Sequence, residues 1–246
     1  MKRLLSLTLV LLLVLAGCNN QPAETIPSTT AQPTTESTAE TVVPDKLIAL
    51  TFDDGPNGQM MPAFLDYLKE ENVKATFFVI GIYVATYKNV VKRAYDEGHE
   101  IGNHSYSHVD LTELTKDQML AEVEKCQVEV ELVTGERPKF FRPPFLKVND
   151  LMNENIDLPY ASGYTINDGT EGTIADDRYY RTVTQAHDEA IMLLHCGSHN
   201  DETLEALKKI IPELRAKGYE FVTVSELFER TGITPETSIM YKDAGK

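Results

Sequence analysis

The chain has 246 residues, 42% hydrophobic and 25% charged, enough for one sizeable globular domain with appendages. Its formal charge is -15, and loss of residues 1–17 would remove Lys2 and Arg3 and no acid, making the remainder two units more negative. Such a surface disfavours nucleic acid and anionic lipid headgroups as direct partners and suits a neutral or weakly cationic polymer. The three cysteines, Cys18, Cys126 and Cys196, make no disulfide framework.

Met1-Lys2-Arg3 is a short positive region, and Leu4 to Leu15 is an apolar core too short for a comfortable membrane span. Residues 1–17 are therefore expected to be an export signal. Leu15-Ala16-Gly17-Cys18 resembles the lipobox of bacterial lipoproteins, which implies cleavage before a lipidated Cys18. Residues 18–44 are rich in Thr, Ser, Pro, Ala and Glu and cannot bury enough surface to fold. They read as an extended tether. A folded domain is expected over 45–232, followed by a tail over 233–246.

Within the domain, apolar β-like runs alternate with amphipathic helical runs. Strands are expected at Leu47–Phe52, Ala75–Ile80, Glu100–Asn103, Phe140–Arg142, Tyr160–Ile166, Ala190–Leu194 and Glu220–Val224. Helices are expected at Met60–Glu71, Val84–Glu97, Lys116–Val133, Asn149–Asn155, Arg178–Glu189, Thr203–Lys217 and Ser225–Arg230. Gly98, Gly135 and Gly218 follow helical runs, as helix-ending glycines do. About seven strand–helix repeats predict an α/β fold, a parallel sheet closed into a β/α barrel. An open doubly wound sheet is the other candidate, but no glycine-rich phosphate loop follows the first strand.

The polar residues then fall into a pattern. Asp53 and Asp54 end the first strand, His104 and His108 follow the third, Arg142 ends the fourth and His195 ends the sixth. In a β/α barrel these positions share the carboxyl-terminal rim, where such folds place their chemistry. Strand alternation sends Asp53 and Asp54 to different sides, so one acid can bind a cation while the other handles a proton. If the chain turns helical at His104, the i, i+4 spacing puts both imidazoles on one face. Two imidazoles and a carboxylate form a common three-ligand set for catalytic zinc.

Arg142 is held by Pro143 and Pro144, which restrict its backbone, and Asp53 is its natural partner for a two-bond grip. His195, at the end of a buried strand, has the titration range of a general acid. His99 is expected to be structural, His187 and His199 to lie on helix surface and loop, and Cys126 to pack; Cys196 has no assigned role.

These residues resemble the polysaccharide deacetylases, the NodB-like carbohydrate esterase family four. The resemblance is carried by Thr51-Phe52-Asp53-Asp54-Gly55-Pro56, His104-Ser105-Tyr106-Ser107-His108, Arg142-Pro143-Pro144-Phe145 and Leu193-Leu194-His195, in that order. It extends to Lys74–Gly81 and Gly98–His104, and runs from about Lys46 to Glu229. It implies a distorted (β/α)7 barrel of parallel strands. It also implies one divalent metal, zinc or else cobalt, nickel or manganese, on Asp54, His104 and His108. Asp53 would be the general base, Arg142 would orient it, and His195 would be the general acid. Pro144, Phe145 and Tyr164 would contact substrate.

The family's fourth motif usually carries Asp and Trp near the rim, the Asp setting the state of the acid histidine. The corresponding stretch here is Tyr164 to Glu171; Asn167 stands where an acid is expected, and the chain has no tryptophan. Asp168 or Glu171 could substitute, or His195 could lack a partner. Leu146 replaces a glycine common after the arginine motif.

The expected function is hydrolysis of N-acetyl groups on a surface polysaccharide, first N-acetylglucosamine in peptidoglycan. The protein would be a monomer, lipid-anchored through Cys18 alone on the outer face of a bacterial cytoplasmic membrane, with no nucleic-acid partner. Removal of O-acetyl groups from xylan is the alternative within the enzyme class. A carbohydrate-binding protein with little turnover is the rival outside it.

Overall fold

In the computed structural model, residues 45–169 and 172–245 are described, and strand β1 (Lys46–Gly55) is the element to which most others are referred. It is followed by α1 (Met60–Glu70), β2 (Thr76–Val79), α2 (Gly81–Val84), α3 (Lys88–Asp96), β3 (Glu100–Asn103), α4 (Lys116–Thr134) and α5 (Asp150–Asn155). The second half runs β4 (Tyr160–Ala161), β5 (Tyr164–Thr165), α6 (Ala175–Gln185), β6 (Ala190–His195), α7 (Asp201–Ala216), β7 (Tyr219–Val222), α8 (Val224–Thr231) and β8 (Met240–Tyr241). The expected signal segment, the tether over 18–44, Cys18 and Glu171 lie outside the described residues.

β1 is buried along both faces, as a strand inside a parallel sheet covered by helices must be. It pairs in parallel with β6 along one edge; on the other, β7 takes its first half and β2 its second. β3 extends the sheet beyond β2, and β5 beyond β6. Single bridges Asn103↔Phe141 and Phe141↔Tyr160 carry the circuit from β3 to β4. β8 pairs with β4, and Ile191 N donates to Lys242 O at 2.9 Å, joining that pair to β6. The result is a distorted barrel of mainly parallel strands. Residues 239–244, expected as a tail, are therefore part of the wall, filling the gap between β4 and β6.

Phe52 ties the barrel to its helices, packing edge-on against Phe64 of α1 at 5.1 Å and stacking on Phe77 of β2 at 5.3 Å. All three rings are fully buried, each contributing about 1.5–3 kcal/mol. α4 starts with a capping box of Thr115 and Gln118 and ends at Gly135 in the left-handed conformation; α8 repeats the device with Thr223, Glu226 and Gly232.

Three expected elements take different forms. The run 84–97 holds a shorter helix, α3, with α2 ending at the run's first residue, because Tyr87 leaves helical geometry before α3. The strand expected over 140–142 contributes only the bridge at Phe141, since Pro143 and Pro144 have no N–H with which to extend a ladder. The strand over 160–166 is broken at Ser162-Gly163 into β4 and β5.

Candidate active site

The acidic pair sits on an irregularity of β1. Against β2, Phe52 pairs with Phe77 and Gly55 with Val79, so three steps on β1 match two on its neighbour. This bulge, with Asp54 at φ 66°, breaks the alternation that would send the two carboxylates to opposite faces. Both converge on one histidine: His104 Nε2 lies 3.7 Å from Asp53 Oδ2 and 3.7 Å from Asp54 Oδ1. The side-by-side separation expected from a regular strand is thus corrected.

The two histidines also meet by a route other than a helix. Residues 104–108 form a loop in which Ser105 and His108 have φ of 63° and 57°. Asn103 holds its start, accepting from Ser105 N at 2.9 Å and donating to Val123 O at 3.0 Å. His108 N then donates to Ser105 Oγ at 3.0 Å, bringing His108 Nε2 to 3.5 Å from Asp54 Oδ1. Six of the nine non-glycine residues with positive φ among those described are Asp54, Ser105, His108, Phe145, Leu146 and Asn167, all beside this rim. Each costs on the order of 1 kcal/mol, which the surrounding fold supplies.

Asp54, His104 and His108 present donor atoms within 4.8 Å of one another. Asp54 Oδ1 is buried and makes no hydrogen bond with protein, an arrangement that costs free energy unless a cation satisfies it. His104 Nδ1 is 2.7 Å from Arg142 O; a carbonyl only accepts, so Nδ1 carries the proton and Nε2 keeps its lone pair. Burial lowers the His104 pKa against the opposing pull of Asp53 and Asp54, which favours the neutral imidazole a ligand needs. A carboxylate oxygen and two imidazole nitrogens fit a divalent ion of borderline softness.

Asp53 is buried and makes a direct pair with Arg142. Arg142 Nη1 donates to Asp53 Oδ1 at 2.6 Å and to Thr51 Oγ1 at 2.8 Å, while Nε donates to Ala161 O at 2.5 Å. The expected two-bond grip is a single bond from Nη1; Nη2 is buried with no hydrogen-bond partner. The guanidinium is wholly inaccessible and lies over Phe78 at 4.1 Å from the ring centre. Gly102 makes room for that ring, since a Cβ there would stand 2.4 Å from Phe78 Cδ1. Burial pushes the Asp53 carboxyl up, but Arg142, His104 and His195 together bring it below its ordinary value, so it is an anion at neutral pH.

β6 places His195 directly opposite Asp53 in the register. Its partner is Asp168, one of the two residues the sequence offered for that place: Nδ1 lies 2.7 Å from Asp168 Oδ1, and His195 N donates to Oδ2 at 2.8 Å. Burial pulls His195 down, but Asp168, with smaller help from Asp53 and Asp54, raises it to about 9. Gly169 lies against the ring, where a Cβ would be 3.5 Å from His195 Cε1. A cavity of about 650 Å³ opens beside these groups, lined by Asp54, Gly169, Ile174, His195, His199 and Glu202 among others. Another of about 560 Å³, around Tyr95, His99 and Glu100, contains none of the rim groups.

Of the expected substrate contacts, Phe145 is 60% exposed, with its ring 4.9 Å from that of His108. Pro144 is buried and serves to hold the turn between Arg142 and Phe145. Tyr164 pairs with Met192, well before His195, and its hydroxyl donates to Asp243 at 3.0 Å. Its ring packs on His187 at 4.8 Å, just before β6 begins, so it lies away from the rim.

Cys196 is buried with Sγ 3.4 Å from Asp53 O, and burial lifts its thiol well above the usual value, so it remains protonated. Cys126 packs under Val79 O, and His99 accepts from Ala75 N at 3.2 Å, both as structural groups. Thr51 was missed as a site residue, although its position two before Asp53 puts both on one strand face. Thr203, which donates to Asp168 at 2.9 Å, gave no local signal.

A family model described as polysaccharide deacetylase matches residues 40–161. A bifunctional xylanase/deacetylase of Pseudobutyrivibrio xylanivorans is 42% identical over 198 residues, 80% of this chain but only 32% of that protein. A peptidoglycan-N-acetylglucosamine deacetylase of Bacillus cereus is 37% identical, over 74% of this chain and 68% of its own. Among solved structures, a family 4 acetyl xylan esterase from Clostridium thermocellum in complex with a cobalt ion has a TM-score of 0.79 and 38% identity, covering 82% of this chain and 100% of that one. This chain thus spans about a third of the first relative's length and about two thirds of the second's.

Proposed function

The chain belongs to the polysaccharide deacetylase family, and we propose that it removes N-acetyl groups from N-acetylglucosamine in peptidoglycan. The observation that carries the reaction is a pair of acid–base couples, buried Asp53 with Arg142 and half-buried His195 with Asp168, flanking the donors of Asp54, His104 and His108. A divalent ion held by those three residues, zinc by our reading, would supply Lewis acidity to the acyl oxygen and acidify the attacking water.

Asp53 is kept anionic and aimed by Arg142, and accepts a proton from the water that attacks the acyl carbon. His195 carries a proton on Nε2, with Nδ1 directed to Asp168. It gives the Nε2 proton to the departing nitrogen as the C–N bond breaks, leaving acetate and a free amine. Phe145 offers an apolar platform at the rim for a sugar face.

The wall substrate is favoured by the lipobox at Cys18 and the tether over 18–44, which would hold the domain at the outer face of the membrane, and by the name of the Bacillus cereus relative. Removal of O-acetyl groups from xylan is the second reading, favoured by the names of the Pseudobutyrivibrio and Clostridium proteins. The test is acetate release from peptidoglycan, N-acetylglucosamine oligomers and acetylated xylan, with chelator and restored zinc or cobalt as controls. Metal-dependent release from peptidoglycan at the highest kcat/KM supports the first reading. A clear preference for xylan replaces it with the second, and metal binding with no release from any polymer favours a carbohydrate-binding role.

A further inference from the structure

Asp168 is held by more than the histidine it serves. Its Oδ2 accepts from Thr203 Oγ1 at 2.9 Å as well as from His195 N. Thr203, on α7, has one hydroxyl proton, and giving it to Asp168 leaves the oxygen lone pairs to accept from a second group. That group is Arg178 of α6, whose Nη1 lies 2.6 Å away. Guanidinium nitrogens only donate, so the chain of bonds has one direction, from Arg178 through Thr203 to Asp168 and on to His195 Nδ1. Arg178 and Thr203 are both buried, and Arg178 Nε is anchored on Thr173 Oγ1 at 3.2 Å.

We propose that Arg178 and Thr203 are positioning residues for the proton donor, forming a relay that holds Asp168 fixed as the acceptor for His195 Nδ1–H through the reaction. This rests on the deacetylase reading above. When His195 is an imidazolium, Asp168 has a cation in contact. Once the Nε2 proton has passed to the leaving nitrogen, Asp168 would be a buried anion facing a neutral ring, a state that is costly without compensation. Glu202, the acid on that cavity outside the metal-donor set, makes it worse. Arg178, one hydroxyl away, supplies positive charge in both halves of the cycle. Asp168 therefore remains an acceptor for Nδ1–H, and Nε2 stays turned to the cleft. The bulk structural alternative is that the same bonds simply tie α6 to α7.

The two roles are separated by the leaving group. A sugar amine needs the proton from His195, whereas the phenolate of 4-nitrophenyl acetate departs without one. In the full chain, Thr203→Val removes the hydroxyl alone. It should lower kcat on an N-acetylglucosamine oligomer by roughly 10-fold, leave KM within about 2-fold, and change 4-nitrophenyl acetate turnover by less than about 2-fold. Thr203→Ser and Arg178→Lys should restore most of the oligomer activity that Thr203→Val and Arg178→Met lose.

Independently of turnover, the metal-free protein should show a low-field proton resonance for His195 Nδ1–H that disappears in Thr203→Val. Equal losses on both donors, or no loss on the oligomer, would overturn the relay. If the wild type cleaves 4-nitrophenyl acetate but not the oligomer, the substrate reading has failed instead, and persistence or loss of the low-field resonance in Thr203→Val decides the relay alone.

Discussion

Replacing Arg142 with methionine should produce a stability defect that grows with pH. The side chain is wholly buried, and three of its hydrogen bonds are lost. Those to Thr51 and Ala161 do not depend on protonation and should cost together about 2 kcal/mol at every pH. The bond to Asp53 differs, because its loss strands a buried carboxylate. In the wild type the Asp53 pKa lies below the ordinary 3.8, so its contribution is present above that value and lost as pH falls through the folded pKa. Without Arg142, burial is opposed only by His104 and His195, and the folded pKa rises above the unfolded one. The sign then reverses: ionisation on raising the pH destabilises the variant, by roughly a further 3 kcal/mol at neutrality. Urea unfolding in chelator, wild type against variant, at about pH 4 and pH 7 measures the difference. The same penalty at both values would refute the coupling of Asp53 to Arg142. Addition of Asp53→Asn should remove most of the pH-dependent part.

Further outcomes follow from the same geometry. Asp53→Asn should keep the metal and lose roughly 10²–10⁴-fold in kcat, whereas His104→Ala should lose both; metal content and acetate release on the same samples compare them. His195 is held up at about 9 by Asp168, so Asp168→Asn should bring the alkaline limb of the kcat profile down by more than about one pH unit. An unmoved limb would mean that another group carries it. Leu146 has φ 56°, a conformation glycine adopts freely, so Leu146→Gly should be neutral or stabilising by up to about 1 kcal/mol in thermal unfolding. Tyr164→Phe should leave kcat/KM on every polymer within about 2-fold, since its hydroxyl is engaged with Asp243 away from the rim.

The residue types of the chemistry, their order and their common rim were legible in the chain because each rests on a local pattern. An apolar run with β-branched residues ends at Asp53 or at His195, and paired prolines hold Arg142. Strand–helix alternation then places all their ends on one side of a barrel. What the sequence could not decide depends on contacts between distant segments. Alternation alone separates Asp53 from Asp54, whereas the mismatch of β1 with β2 brings them together on His104. Asp168 is selected as the partner of His195 because the loop after β5 turns it onto the end of β6, 27 residues away in the chain. Residues 239–244 look like a tail until β4 and β6 leave a gap that their backbone groups can fill. Arg178 and Thr203 lie on separate helices and meet only where α6 packs on α7. Local propensity acts over a few residues, while register, bulges and buried charge compensation are set only when the barrel closes.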